Sequence, residues 1–196
     1  MILPIVAYGS NILKIRASAV DTEDPNLEKL IADMWETMYN ANGVGLAAPQ
    51  IGESIRLFVI DASPFAQDEE LSQEETEVLK DFKEVFINPV LIAETGEKWE
   101  FKEGCLSIPE IREEVSRKKK ITIQFLDENL KKQTLNLFGL AARIVQHEYD
   151  HIEGILFTDK LSPLKKRLLK GKLNNIIKGN INPDYKMRFT TKKNRK

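Results

Sequence analysis

Two histidines and a glutamate stand close together in the motif His147-Glu148-Tyr149-Asp150-His151, and the chain has no other histidine. Positions four apart share one face of a helix, so both imidazoles can point at the same metal ion. The carboxylate beside the first histidine can take a proton from water that such an ion acidifies. This spacing predicts a catalytic metal site and makes ordinary core or surface histidines the less favoured interpretation.

The residues around this motif predict that it is helical. Apolar residues recur at spacings of three, four and seven between Leu140 and Ile152, which is the pattern of an amphipathic helix. Gly139 suits the beginning of such a helix and Gly154 its end. Because the apolar stripe continues into the histidine face, we expect the site to lie against the core.

A catalytic metal site normally has three protein ligands and one open position. In one class of metalloproteases the third ligand is a histidine six residues after the second histidine, with a glycine between them. Here Gly154 matches that glycine, but the position of the third histidine is Phe157. Glu153 lies too close along the same helix to complete the set. Cys105, the single cysteine, is the remaining candidate, and a small buried residue is the alternative interpretation.

Two further segments predict contributions to the same site. In Glu103–Ser107, Gly104 permits an unusual backbone angle, and the backbone N–H of Leu106 follows the sulfur and could point at whatever the metal binds. In Gly43–Gln50, small residues allow a substrate to approach the backbone, and the amide of Gln50 could donate a hydrogen bond. A plain glycine turn is the alternative, and a phosphate-binding loop is excluded because its lysine and hydroxyl residues are missing.

Length and composition predict one soluble domain. The chain has 196 residues, of which 42% are hydrophobic and 30% charged, as is usual for globular proteins. No apolar run approaches the ~20 residues of a membrane span, and a single cysteine allows no internal disulfide, so we expect a cytoplasmic location. Residues 61–84 hold nine acidic and two basic side chains, whereas residues 163–196 hold twelve basic and one acidic.

The rest of the chain predicts the elements that position these residues. An extended arm covers residues 1–20, and a helix runs from Asp24-Pro25 to near Asn42-Gly43. The acidic residues 62–84 predict a solvated loop with room for a short helix. A basic helix begins at Ser162-Pro163 and ends near Lys178, followed by a basic, mobile tail over 179–196. The predicted strands cover residues 55–60, 85–92 (bulged or at an edge because of its Asn-Pro pair), 120–126 and 133–137.

Taken together, the segments Gly43–Gln50, Glu103–Ser107 and His147–His151 resemble the three signature motifs of peptide deformylases. They occur in the same order and at similar spacing, apart from a longer acidic insert at 62–84. The resemblance implies an α+β fold, with antiparallel β-sheets packed around a central metal-binding helix and a C-terminal helix. It extends over a single catalytic domain at residues 1–178.

This resemblance implies that the chain removes the formyl group from the N-terminal formylmethionine of nascent polypeptides and releases formate. It implies Cys105, His147 and His151 as ligands of one ion per chain, usually Fe2+, with Zn2+, Ni2+ or Co2+ as possible substitutes. Hydroxide formed at the metal would attack the formyl carbon, with Glu148 as general base and then general acid. The oxyanion would be stabilised by the side chain of Gln50 and the backbone N–H of Leu106.

The resemblance also suggests residues that bind the peptide, although plain packing is the alternative for each of them. The predicted wall of the methionine pocket consists of Val44, Leu140 and Ile144, with Phe101 nearby. The predicted contacts to the peptide itself are Gly45, Glu103, Gly104 and Arg112, and Glu103 could instead hold the metal loop. Isoleucine is common at position 44, and Arg143 stands where an apolar residue can line the pocket, so the side-chain preference stays open.

Two other functions compete with this prediction. A zinc metallopeptidase would use the same helix, but this chain lacks the downstream histidine of that class. A non-catalytic, metal-stabilised binding module would leave Glu148 without a role. The basic region 163–196 predicts a contact with ribosomal RNA, with a solvated tail as the alternative. No membrane contact is expected.

Overall fold

A computed structural model describes residues 1–190 of the chain. Its helices are α1 (Leu27–Asn40), α2 (Gln73–Lys80), α3 (Gly139–Ile152) and α4 (Pro163–Ile177). Its strands are β1 (Ile5–Val6), β2 (Gly45–Ala47), β3 (Leu57–Asp61), β4 (Lys83–Cys105), β5 (Ile108–Leu126), β6 (Lys132–Phe138) and β7 (Met187–Arg188). Short 3-10 helices lie between several of these elements.

Five strands form one antiparallel sheet in the order β2-β3-β4-β5-β6. The long strands β4 and β5 form a hairpin, and Cys105 is the last residue of β4. The register shifts between Ile87 and Val90, so the bulge predicted at Asn88-Pro89 is confirmed. The sequence predicts only residues 85–92 of β4, because the rest of the strand is largely exposed and charged and has no apolar alternation.

The sheet separates two apolar clusters, and β3 contributes to both. Leu57 and Val59 pack on the side of α1, whereas Phe58 and Ile60 pack on the side of α3. Successive side chains of a strand point to opposite faces of the sheet, which explains this alternation. The helix that carries the histidine motif is therefore covered by the sheet along one side.

Helix α3 has the bounds that the sequence predicts, and nearly all of its residues are buried. Gly139 and Gly154 both have positive φ angles, +57° and +73°, a conformation that glycine adopts without steric cost. A Cβ at position 154 would lie 2.8 Å from the backbone of Lys14. The N-terminal arm therefore packs directly against the end of the metal-binding helix.

The acidic insert is more ordered than the predicted solvated loop. It forms a 3-10 helix at Ser63–Gln67 and then α2, whose Leu79 is fully buried in the core cluster beside α3. Glu74 and Glu77 are exposed because α2 is amphipathic, so the net charge of the insert conceals one apolar face.

The segment after α4 differs from the predicted mobile tail. Strand β7 pairs in parallel with β1, and the backbone N–H groups of Ile5 and Ala7 donate to the carbonyls of Lys186 and Arg188 at 2.9 Å. Ile181, Met187 and Phe189 pack onto an apolar cluster with α4, and this burial outweighs the polar character of the segment. The last part of the predicted tail, residues 191–196, lies outside the described residues.

Among the described residues 1–190, no helix combines the length and the apolar character needed to cross a membrane.

Candidate metal centre

The structure brings the three predicted metal ligands together from two distant parts of the chain. Two of them lie on α3, and the third ends β4. Their donor atoms all lie within 4.8 Å of one another, and the sulfur of Cys105 is 3.3 Å from Nε2 of His151. The Cys-His-His cluster that the sequence predicts is therefore confirmed.

His147 is oriented by a carboxylate behind it. Its Nδ1 lies 2.9 Å from Oε2 of Glu103, so Nε2 is the ring nitrogen left for a metal. Histidines that bind metals usually direct their other nitrogen to such an acceptor, which fixes the tautomer and the ring plane. Of the two roles considered for Glu103, the side-chain contacts support the one that holds the metal ligand.

Glu103 in turn lies between two buried arginines. Arg117 donates to both of its carboxylate oxygens at 2.6 and 2.8 Å, and Arg143 donates to one of them at 2.8 Å. Arg117 also donates to Asp150 at 2.6 Å. Burial alone would raise the pKa of Glu103, but the hydrogen bonds from Arg117 and His147 outweigh it and lower this pKa below its ordinary value. Glu103 is therefore ionised in this network.

Arg117 is a site residue that the sequence did not predict. It belongs to the basic run 117–120, where composition predicts a solvated surface. However, Val115, Arg117 and Ile121 all occupy inward positions of the two-residue alternation on β5. That alternation is the one signal by which a buried arginine could have been recognised.

The donor set fits a divalent transition metal. Burial and the nearby charge of His147 lower the pKa of His151, which favours the neutral imidazole that metal binding needs. Burial would also lower the pKa of His147, but its contacts with Cys105 and Glu103 raise it above its ordinary value. A metal must displace that proton to bind, so loading of the site is coupled to proton release. One sulfur and two imidazole donors suit iron, zinc, nickel or cobalt.

Glu148 faces the same site and is buried, with 5% of its surface exposed. Among the described residues no group donates a hydrogen bond to its Oε2 atom, and burial raises its pKa to about 7. Its carboxylate packs directly on the backbone of β2, where a Cβ at Gly45 would collide with it. The predicted proton carrier is thus a carboxylate next to the metal ligands, with one oxygen that accepts no hydrogen bond from the described part of the chain.

The predicted hydrogen-bond donors, Gln50 and Leu106, lie close to Cys105 and line the same cleft. The amide oxygen of Gln50 accepts from the backbone N–H of Ala47 at 2.8 Å, which turns its amide nitrogen toward the site. That nitrogen lies 3.4 Å from the sulfur of Cys105 and 3.4 Å from the hydroxyl of Ser107. Leu106 follows the cysteine in the turn between β4 and β5 and lines the same cleft.

Two cavities meet at His147 and Glu148. A cleft of about 680 Å³ contains the sulfur ligand, and a pocket of about 120 Å³ opens beside it. The cleft is lined by Gly45, Gly104 and Arg112, which were predicted to contact the peptide. It is also lined by Val44, which was predicted as a wall of the methionine pocket but does not line the smaller pocket. The smaller pocket is lined by the predicted residues Phe101, Leu140 and Ile144 and, from the acidic insert, by Phe65, which was not predicted.

Comparisons with known proteins agree with this geometry. A family model described as "Polypeptide deformylase" matches residues 2–167. The chain belongs to this family. The peptide deformylase of Christiangramia forsetii is 63% identical over 193 residues, which are 98% of each chain, and that of Flavobacterium psychrophilum is 54% identical over 98% of this chain and all of its own. The family predicted from the three motifs is thus confirmed.

Solved structures show the same fold. The crystal structure of a peptide deformylase from Legionella pneumophila superposes with a TM-score of 0.76 at 40% identity, over 89% of this chain and 95% of its own. The enzyme from Thermotoga maritima gives 0.72 at 37% identity, over 83% and 99%. The predicted α+β fold is confirmed, and so is the enzyme class, a deformylase that hydrolyses an N-formyl amide.

The packing of Gly45 against Glu148 generates a first prediction. The variant Gly45→Ala is expected to lower kcat roughly tenfold to a hundredfold, because the new methyl group displaces the carboxylate from its position. Gly171→Ala is the matched control, since a Cβ there has open space in α4 and should stabilise the helix by about 0.5–1 kcal/mol. Formate release and metal content are measured for both variants, and equal kcat values would contradict the prediction.

The carboxylate behind His147 generates a second prediction. Glu103→Gln is expected to weaken metal binding about 10–100-fold, because the amide cannot act as a charged acceptor for His147 and leaves two arginines short of a partner. Glu113→Gln is the control, since Glu113 lies opposite Glu103 in the β4–β5 ladder but its carboxylate pairs with Lys165 at 3.3 Å. Competition with a chelator measures both affinities, and an equal weakening in the control would refute the role of Glu103.

Proposed function

We propose that this enzyme removes the formyl group from N-formylmethionyl nascent peptides by metal-dependent hydrolysis and releases formate. The observation that carries the proposal is a buried carboxylate, Glu148, without a hydrogen-bond partner for Oε2 among the described residues, beside three metal-ligating side chains. Family membership supports the substrate class, and the geometry supports the roles of individual residues.

We propose Fe2+ as the metal, one ion per chain, with Zn2+, Ni2+ or Co2+ able to replace it. Cys105, His147 and His151 would hold it. When bound, the ion supplies Lewis-acid chemistry, which lowers the pKa of water and polarises a carbonyl. Thiolate ligation also makes the site sensitive to oxidation, since a thiolate is the reactive form of cysteine.

Glu148 is the proposed proton carrier. Its pKa, raised to about 7 by burial, suits a group that takes a proton and later returns it near neutral pH. In this role the carboxylate accepts a proton from the attacking water and donates it to the departing amine. Gly45 leaves room for the carboxylate at this position, because a Cβ there would collide with it.

Gln50 and Leu106 are the proposed donors to the formyl oxygen. Negative charge grows on that oxygen during attack, and losing one such donor typically costs ~10²–10³ in rate. The amide of Gln50 is preoriented by Ala47, and its 3.4 Å contact with Ser107 is long for a hydrogen bond and easily exchanged for a better one. The backbone N–H of Leu106 supplies the second donor.

The pocket of about 120 Å³ is the proposed site of the methionine side chain. Phe65, Phe101, Leu140 and Ile144 give it apolar walls, which suit an unbranched thioether. The guanidinium of Arg143 is drawn away to Glu103 and the carbonyl of Trp99, so a charged residue at this position is compatible with an apolar ligand. The peptide backbone would lie in the larger cleft, which is lined by Val44, Gly45, Gly104 and Arg112.

One experiment tests this function. Protein purified without oxygen is expected to contain about one iron per chain and to release formate from formyl-Met-Ala, but to leave internal peptide bonds intact. Cleavage of internal peptide bonds would instead favour the zinc peptidase, and tight metal binding without turnover would favour the binding module.

The pH profile gives a further prediction. Because Glu148 must be ionised to accept a proton, kcat/KM is expected to fall as the pH drops below about 7. A bound cation lowers the pH at which this fall begins.

The variant Glu148→Ala belongs to the same experiment. It is expected to retain the metal and to lose nearly all turnover, because the ligands are intact and the proton carrier is missing. Glu77→Gln, an exposed carboxylate on α2 whose side chain is 71% exposed, is the control and should behave as the unmodified enzyme. Near-normal formate release by Glu148→Ala would remove the proposed proton carrier.

We further propose that the basic C-terminal region contacts ribosomal RNA. On α4, Arg167, Lys170 and Lys172 are exposed, and Leu164 and Leu168 are 67% and 73% exposed on the same helix. Exposed basic side chains bind phosphates with release of counterions. The cytoplasmic location stays a prediction.

Cosedimentation with ribosomes tests this interaction. The triple change Arg167→Gln, Lys170→Gln and Lys172→Gln is expected to weaken binding at low salt and to reduce the dependence of log K on log salt by about 0.9 for each phosphate that is no longer neutralised. Formate release should be unchanged, since these side chains lie away from the metal ligands and from both cavities that meet there. Cosedimentation equal to that of the unmodified enzyme would contradict the proposal.

A further inference from the structure

Tyr185 connects the C-terminal segment to the turn that carries the metal-ligating cysteine. Its hydroxyl donates to the backbone carbonyl of Leu106 at 2.8 Å, and its ring packs onto the apolar cluster of α1 and β3. The family model ends at residue 167, so this residue lies beyond the part of the chain that the family match covers. The segment nevertheless reaches the centre of the site.

The position of Tyr185 is fixed by the pairing of the two chain ends. β7 begins two residues later and is bonded to β1 in parallel. The guanidinium of Arg188 packs over Gly52, where any side chain would collide with it. Gly52 follows the 3-10 helix that carries Gln50, so the same segment is anchored close to the other proposed oxyanion donor, the side chain of Gln50.

The turn at Leu106 is therefore held from both ends of the chain. Tyr185 binds the carbonyl of Leu106, and the backbone N–H of Tyr8 donates to the carbonyl of Ser107 at 2.8 Å. Tyr185 fixes the carbonyl that follows the Cα of Leu106, and β4 fixes Cys105, which precedes it. Together these two constraints set the direction of the Leu106 N–H.

Tyr185 is also suited to remain a donor. Burial, together with the nearby groups of Cys105 and Glu110, raises the pKa of its phenol. The hydroxyl therefore keeps its proton at neutral pH and well above it. The segment before Tyr185 lines the cleft through Asn182, Pro183 and Asp184. It therefore borders the space in which the peptide substrate is proposed to lie.

We propose that Tyr185 is a positioning residue for deformylation, which holds the carbonyl of Leu106 and thereby fixes the backbone angles of this residue, so that the N–H of Leu106 points at the formyl oxygen. This inference rests on the proposed function, because it concerns the oxyanion donor of that reaction. A group that aims a transition-state donor affects kcat more than substrate binding. A residue that only stabilises the fold would change the melting temperature and leave kcat unaltered.

The variant Tyr185→Phe tests the proposal because it removes the hydroxyl and keeps the ring. We expect kcat for formyl-Met-Ala to fall roughly three- to thirtyfold, less than the ~10²–10³ for complete loss of an oxyanion donor, with KM changed less than twofold and metal content unchanged. Tyr39→Phe is the matched control, since it also removes one tyrosine hydrogen bond, the 2.6 Å bond to Asp61, on an exposed part of α1.

The outcomes separate this inference from the proposed function. If the unmodified enzyme releases no formate, the proposed function fails. If it is active and Tyr185→Phe keeps kcat within twofold of Tyr39→Phe, only the role of Tyr185 fails. Loss of metal or of the folded state in Tyr185→Phe also overturns the inference. The hydroxyl would then stabilise the turn at Cys105 or the whole fold, and it would not act by orienting the N–H of Leu106.

Discussion

The site depends on one buried carboxylate. Glu103 joins His147 on α3 to Arg117 and Arg143, and Asp150 completes the network. Lys160 also pairs with Asp150 at 3.2 Å, so three cations face two carboxylates, and a proton on His147 is not needed to balance the acids. Removing one member of such a buried pair typically costs about 3–5 kcal/mol, because it leaves an uncompensated charge. This cost ties β4, β5 and α3 into one arrangement.

The sequence predicts those parts of the site whose geometry is local. Two histidines four residues apart on an amphipathic stretch define their own helix face, and α3 has the predicted bounds. Cys105 could be reached only by elimination and by resemblance to a family, because its approach to His151 depends on the β4–β5 hairpin. Arg143 was considered only as an unusual residue in the methionine pocket, whereas its guanidinium bonds to Glu103 and stacks on Trp99 at 4.5 Å. No local pattern on α3 shows that Arg143 pairs with Glu103, because that carboxylate lies forty residues earlier on β4.

The acidic insert shows how net charge can conceal structure. The many acidic residues of the insert predict a loop exposed to solvent. Instead, Leu79 of α2 is buried, and Glu75 lies against Gly139 at the beginning of α3. A carboxylate near a helix N-terminus is favourable because the unpaired N–H groups there carry partial positive charge. The insert thus contacts the beginning of α3 through Glu75 and shares its apolar cluster through Leu79 and other apolar side chains. Phe65 extends it to the smaller pocket.

The two kinds of metal ligand are stabilised in different ways. The histidines hold their spacing through hydrogen bonds within α3, so their geometry survives small shifts elsewhere. The turn from Cys105 to Ser107 is shaped by contacts with Tyr8, Gln50 and Tyr185, which are remote in sequence. The contact of Tyr185 comes from the segment just before β7, which is held in place by its pairing with β1. The cysteine side of the site is therefore more exposed than the histidine helix to changes in the segments around β1 and β7.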